Sequence, residues 1–145
     1  MYYHFYVRNG IVYIPTMGKM DQGFYRDVEP VAVVSASNTE AMRQALAAVI
    51  ARGNPIVPML RRREWSAPVV LKYAGVRSWS AFEQGMSLWG LDDKNGKFAL
   101  IGKRKQSNGA TVDDPERTFT FSPGSTTEDV IEKIIVILQE AARKV

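Results

Sequence analysis

The sequence predicts an α+β fold: a mainly antiparallel sheet packed by two main helices, with one or two short helices beside them. Three observations predict it. Asn9-Gly10 sits between two alternating apolar segments, a strong hairpin signal because a type I′ turn needs positive φ at both central residues. Apolar residues recur at helical spacing in two places, Met42 to Ile50 and Val130 to Leu138. Strand-like segments are grouped before and after a mixed middle instead of alternating with helices, which suggests an antiparallel sheet with helices on one face. The 145 residues fit one domain, 1–145, with no evident internal repeat and no linker long enough to divide it.

Taken in order, the first 16 residues form the hairpin. A turn at Asn9-Gly10 pairs Arg8 with Ile11, Val7 with Val12, Tyr6 with Tyr13 and Phe5 with Ile14. Alternation then puts Phe5, Val7, Val12 and Ile14 on a core face, and His4, Tyr6, Arg8 and Tyr13 on the other. Thr16 to Glu29 is polar and reads as a loop, in which Phe24-Tyr25 is the only strand-like pair. Pro30 to Ser35 is a short apolar run, read as a buried third strand. Ser37-Asn38-Thr39-Glu40 has the pattern of a capping box, and Gly53 with Asn54-Pro55 ends the helix it opens.

The segment 56–76 admits two readings. Ser66-Ala67-Pro68 can open a short helix ending at Gly75, or a strand can run through Val69-Val70-Leu71. Ser80-Ala81-Phe82-Glu83 reads as a second capping box, for a short helix reaching about Met86. Ser87–Leu91 and Lys97–Ile101 flank a polar loop, Asp92 to Gly96. Lys103 to Asp114 is again loop-like, and Arg117 to Phe121 alternates as a strand. Ser125-Thr126-Thr127-Glu128 reads as a third capping box before the closing helix, whose acidic start and basic end suit the helix dipole.

Composition narrows the function. Cysteine is absent, which excludes disulfides, thiolate catalysis and cysteine-ligated metals. Met1 to Tyr6 lacks the basic and aliphatic regions of a signal peptide. The longest nearly unbroken apolar run is Ile134–Leu138, far short of the ~20 residues that span a bilayer. The expectation is a cytoplasmic protein without a membrane partner. The net charge of +4 permits nucleic acid as a partner without arguing for it.

No constellation for catalysis or cofactor binding is visible. His4, the one histidine, reads as a strand residue with no orienting partner nearby in sequence. The carboxylates Asp92, Asp93, Asp113 and Asp114 fall in predicted hairpin loops, without the calcium-loop spacing, and suit a solvated loop or a partner contact. Walker, Gly-x-Gly-x-x-Gly and Gly-x-Ser-x-Gly patterns are missing. No enzyme, metal or cofactor is expected. Two basic clusters remain, Arg61-Arg62-Arg63 near Trp65 and Lys103-Arg104-Lys105 near Trp89, which could contact phosphates and stack bases. Val70 to Phe82 has a helix–Gly turn–helix rhythm, but its second helix carries no basic residue after Arg77, which suits packing better than reading a major groove.

Lys72 to Glu83 contains a Gly-Val-basic-Ser-aromatic-x-x-Phe stretch, Gly75 to Phe82, and Phe121-Ser122-Pro123-Gly124-Ser125 precedes a closing amphipathic helix. In these features the second half of the chain resembles immunity proteins of bacterial contact-dependent growth inhibition and related polymorphic toxin systems. The resemblance implies a non-enzymatic cytoplasmic protein that binds and blocks a cognate toxin domain. Immunity proteins of nuclease toxins are often acidic, whereas this chain is basic. The contact would then use a local patch, with Asp92, Asp93, Asp113, Asp114, Arg61, Arg62, Arg63 and Trp65 as candidates. A small nucleic-acid-binding module is the alternative.

Overall fold

Asn9 and Gly10 both adopt positive φ, 52° and 74°, and turn β1 (Tyr2–Arg8) back into β2 (Ile11–Lys19) in the expected register. The computed structural model describes residues 1–61 and 67–144. Phe5, Val7, Val12 and Ile14 are buried as expected. β2 runs on to Lys19, and β3 spans Tyr25–Ser35, so much of the polar stretch read as a loop is strand. Ladder hydrogen bonds do not depend on side-chain polarity, and an edge hairpin tolerates polar residues. β3 is accordingly an edge strand, half-buried to exposed, not the buried strand that its apolar run suggests. The register jumps from Pro15↔Val31 to Thr16↔Val28, which leaves Glu29 and Pro30 as an insertion in β3.

The second half repeats this plan. β4 (Met86–Lys94), β5 (Lys97–Lys105) and β6 (Thr111–Thr120) form a second meander. Asn95 and Gly96 have φ of 55° and 82°, so a tight two-residue turn replaces the longer loop expected there. Asp92 and Asp93 therefore lie in β4, and Asp113 and Asp114 in β6. The antiparallel sheet has the order β3-β2-β1-β4-β5-β6.

This order contains an internal repeat that composition hides. Each half is a three-stranded meander followed by a long helix, α1 (Thr39–Arg52) or α4 (Thr127–Arg143). β2 and β5 begin at Ile11 and Lys97, and β3 and β6 at Tyr25 and Thr111, a constant spacing of 86 residues. The ladder irregularities correspond too, at Pro15/Thr16 in β2 and Ile101/Lys103 in β5. At that spacing Asn9-Gly10 matches Asn95-Gly96, Gly23 matches Gly109 and Asp27 matches Asp113. β1 and β4 join the halves antiparallel at the centre of the sheet.

The two long helices cover one face, here the inner face. Met42, Leu46 and Val49 of α1 and Val130, Ile134 and Leu138 of α4 pack on Tyr3, Phe5, Val12, Leu91 and Leu100. Two short helices, α2 (Val70–Ala74) and α3 (Trp79–Glu83), cover part of the opposite, outer face. Helices thus lie on both faces and not on one. Tyr6 and Tyr13, expected on the side away from the core, are buried there with Val70, Leu71 and Phe82. The helical reading of the middle segment holds, with Gly75 left-handed at the end of α2, and no strand runs through Val69 to Leu71. The caps lie one or two residues from their sequence signals. Asn38 caps α1, Ser78 caps α3 in place of Ser80, and Thr126 with Asp129 forms the capping box of α4. The short, flexible alternatives compete for the same amide donors, and backbone geometry selects among them. No helix is long and apolar enough to cross a membrane among the described residues.

β1 and β2 stay paired only near their turn, from Tyr6↔Tyr13 to Arg8↔Ile11. Beyond it, the Asn54 side chain takes the place of the ladder. Its amide oxygen accepts from the Tyr2 amide at 2.9 Å, and its nitrogen donates to the carbonyls of Tyr2 and Met17 at 2.8 and 3.1 Å. We expect Asn54→Ala to strand these backbone groups and lower unfolding stability by about 1–3 kcal/mol, measured by urea denaturation.

Candidate functional site

The outer face carries an unbroken run of rings along β1. Alternation puts Tyr2, His4 and Tyr6 on this side. Tyr25 meets Tyr2 with ring centroids 5.7 Å apart, Tyr2 meets His4 at 4.9 Å, His4 meets Tyr6 at 5.9 Å and Tyr6 meets Trp79 at 6.0 Å. Gly90 on β4 makes room for this run, since a side chain there would collide with the Tyr2 phenol.

Polar groups link the rings into one network. Asp27 on β3 reaches over β2 to β1, where one oxygen lies 3.4 Å from His4 Nδ1 and the other accepts from the Tyr6 hydroxyl. His4 Nε2 lies 3.0 Å from the Tyr2 hydroxyl. Lys103 on β5 sits over the Tyr2 ring at 5.6 Å and is ion-paired with Asp113 on β6. The Asp27 side chain is 10% exposed and that of His4 24%. Burial, reinforced by the Asp27 charge and hydrogen bond, pushes the Tyr6 phenol well above its ordinary value. Burial also raises Tyr2, against the opposing pull of Lys103.

Above His4, Tyr6 and Asp27 opens a cleft of about 870 Å³. Met20, Phe24, Tyr25 and Arg26 from the β2–β3 hairpin form one wall. Met59, Leu60, Ala67, Pro68 and Trp79 from the connector between the two halves form the other. Phe24 is 61% exposed and Met59 40%.

The carboxylates expected to form a partner-binding patch are divided by strand alternation. Asp92 and Asp113 fall on the outer face, near Lys94 and Lys103. Asp93 and Asp114 fall on the inner side, where Asp93 accepts from the Gly96 amide at 3.0 Å, and Asp114 accepts from the Glu116 amide at 3.0 Å and lies 3.4 Å from Arg117. They do not form one surface. Arg61 is exposed, while Arg62, Arg63 and Trp65 lie outside the described residues. Lys103 and Lys105 are ion-paired within the chain, to Asp113 and Glu83. Trp89 is buried, with the Arg117 guanidinium 4.7 Å from its ring centre, so it offers no face for stacking.

Sequence reasoning gave His4 no partner because Asp27 is 23 residues away, on a stretch whose polarity reads as a loop. The available signal was the alternation Tyr2-x-His4-x-Tyr6, which gathers three hydrogen-bonding rings on one face. Both ring nitrogens of His4 face partners within the protein. These two contacts fix the orientation of the ring. Among the described residues, no three His, Asp or Glu side chains are placed to hold a metal ion.

No protein-family model and no curated protein matches the sequence. The chain is similar in fold to a solved protein of unknown function from Neisseria meningitidis, with 11% identity and a TM-score of 0.63 over 97% of this chain and 92% of that one.

Tyr6→Phe deletes the hydroxyl that Asp27 accepts from, and we expect it to cost about 1.5–3 kcal/mol at neutral pH, as for a hydrogen bond to a charged group. A phenol raised in the folded state contributes stability that is present below its unfolded value of 10.0 and is lost as pH rises through the folded value. The variant's stability should thus fall less steeply above about pH 10 than that of the wild type, in urea titrations across alkaline pH.

Proposed function

We propose that this protein works by binding another protein, a toxin domain that it neutralises in the bacterial cytoplasm without doing chemistry of its own. The cleft is the observation that carries the reading. Its rim holds Phe24 mostly in water and Met59 partly so, and a large apolar side chain left exposed forgoes up to about 1.5–3 kcal/mol of burial that a partner can supply. Exposed apolar anchors around a depression are the usual make-up of an interaction site.

The floor supports binding in preference to catalysis. His4, Asp27, Tyr6 and Tyr2 already satisfy one another, so they present a fixed pattern of rings and charge. The stretch that resembles immunity proteins, Lys72 to Glu83, also has a place in this reading. It forms α2, the Gly75 turn and α3, and brings Trp79 to the cleft.

Co-expression with the product of the adjacent upstream gene tests the proposal. The two proteins should co-purify, and Phe24→Ala or Met59→Ala should each weaken the complex by about tenfold or more without lowering the melting temperature. Failure to co-purify, or unchanged affinity in both variants, overturns it. Retardation of DNA or RNA that weakens steeply with salt would favour a nucleic-acid-binding module instead.

A further inference from the structure

The charges around the cleft are unequally matched. Glu29 is ion-paired with Lys72, which keeps its carboxyl below the ordinary range. Asp113 is ion-paired with Lys103. Among the described residues, Asp27 has a tyrosine hydroxyl and an imidazole ring as partners, neither of them a fixed positive charge. Arg26, next to it in sequence, also lines the cleft but forms no ion pair with it. The floor thus holds a mostly buried carboxylate that no lysine or arginine pairs with among the described residues.

The walls suit a cation equally well. His4, Tyr6, Phe24, Tyr25 and Trp79 line the cleft with aromatic rings, and Met20 and Met59 bring polarisable sulfur. Aromatic faces attract an organic cation through their quadrupole, most strongly where water is excluded. An apolar rim around a buried negative charge fits a side chain with an apolar stem and a cationic head.

We propose that the cleft receives a lysine or arginine side chain of the protein partner, with the Asp27 carboxylate as its counter-ion and the surrounding rings as its walls. This specifies the partner chemistry of the same surface and rests on the binding function above. The match also answers the charge puzzle, because a basic protein can meet a basic partner through a single acidic socket.

The test needs no toxin. The purified protein is titrated by NMR with N-acetyl-arginine methylamide and, separately, with the neutral N-acetyl-norleucine methylamide. The cationic probe should shift the Trp79 indole and the Tyr25 and Asp27 amides, binding at least about tenfold more tightly than the neutral one. Asp27→Asn should remove that preference. Equal binding of the two probes, shifts confined to other surfaces, or a preference that survives in a folded Asp27→Asn variant would overturn the proposal. The two readings fail separately: co-purification can fail while the cationic probe still binds, and a toxin complex can form while the probe shows no preference.

Discussion

β1 and β4 pair through seven registers, from Tyr2↔Asp92 to Arg8↔Met86, and the rest of the architecture hangs on this ladder. Each three-stranded meander with its helix is a half-structure with one exposed inner edge and an apolar face too small to close alone. Joining β1 to β4 covers both edges. It also sets α1 beside α4, so that Val49 and Leu138 share one core. The helices add the ion pair of Arg43 with Glu132 at the surface, which contributes little compared with the apolar burial beneath it. Loss of the central ladder would leave two units, each with a wet apolar face.

The cleft lies where the two halves differ. The inner face is treated alike in both, with one long helix over each meander. The outer face is not. In the described parts of the connector from Gly53 to Gly85, α2 and α3 pack mainly on the first meander, with Met86 and Leu88 of β4 alongside. Equivalent positions therefore meet different surroundings. Asp113 pairs with Lys103 on the neighbouring strand. Its counterpart Asp27 has Met17 at that position and reaches on to His4 and Tyr6. His4 itself corresponds to Gly90, whose lack of a side chain admits the Tyr2 ring.

Much of the architecture was legible in the residues, and the failures have a common cause. Asn9-Gly10 and the apolar stripes of α1 and α4 report locally determined structure, and they read correctly. Asn95-Gly96 is an equally local signal, but the neighbouring aspartates and lysine suggested a longer loop. Polar β6 and the outer half of β2 owe their strand conformation to neighbouring strands, which local polarity does not reveal. The candidate site was harder still. It joins β1, β3 and the connector, and its parts were read as an exposed histidine, a loop aspartate and a packing tryptophan. The 86-residue repeat escaped because it survives in turns, spacing and register and in few side chains.

The central ladder also sets an order of events during synthesis. Tyr2 pairs with Asp92, so β1 is made well before the strand that pairs with it. At roughly 5–20 residues per second, β1 spends several seconds with one hydrogen-bonding edge and its tyrosine-rich face uncovered. Such distant pairings slow folding and leave edges open to other chains. That edge of the first meander is covered only when β4 has emerged.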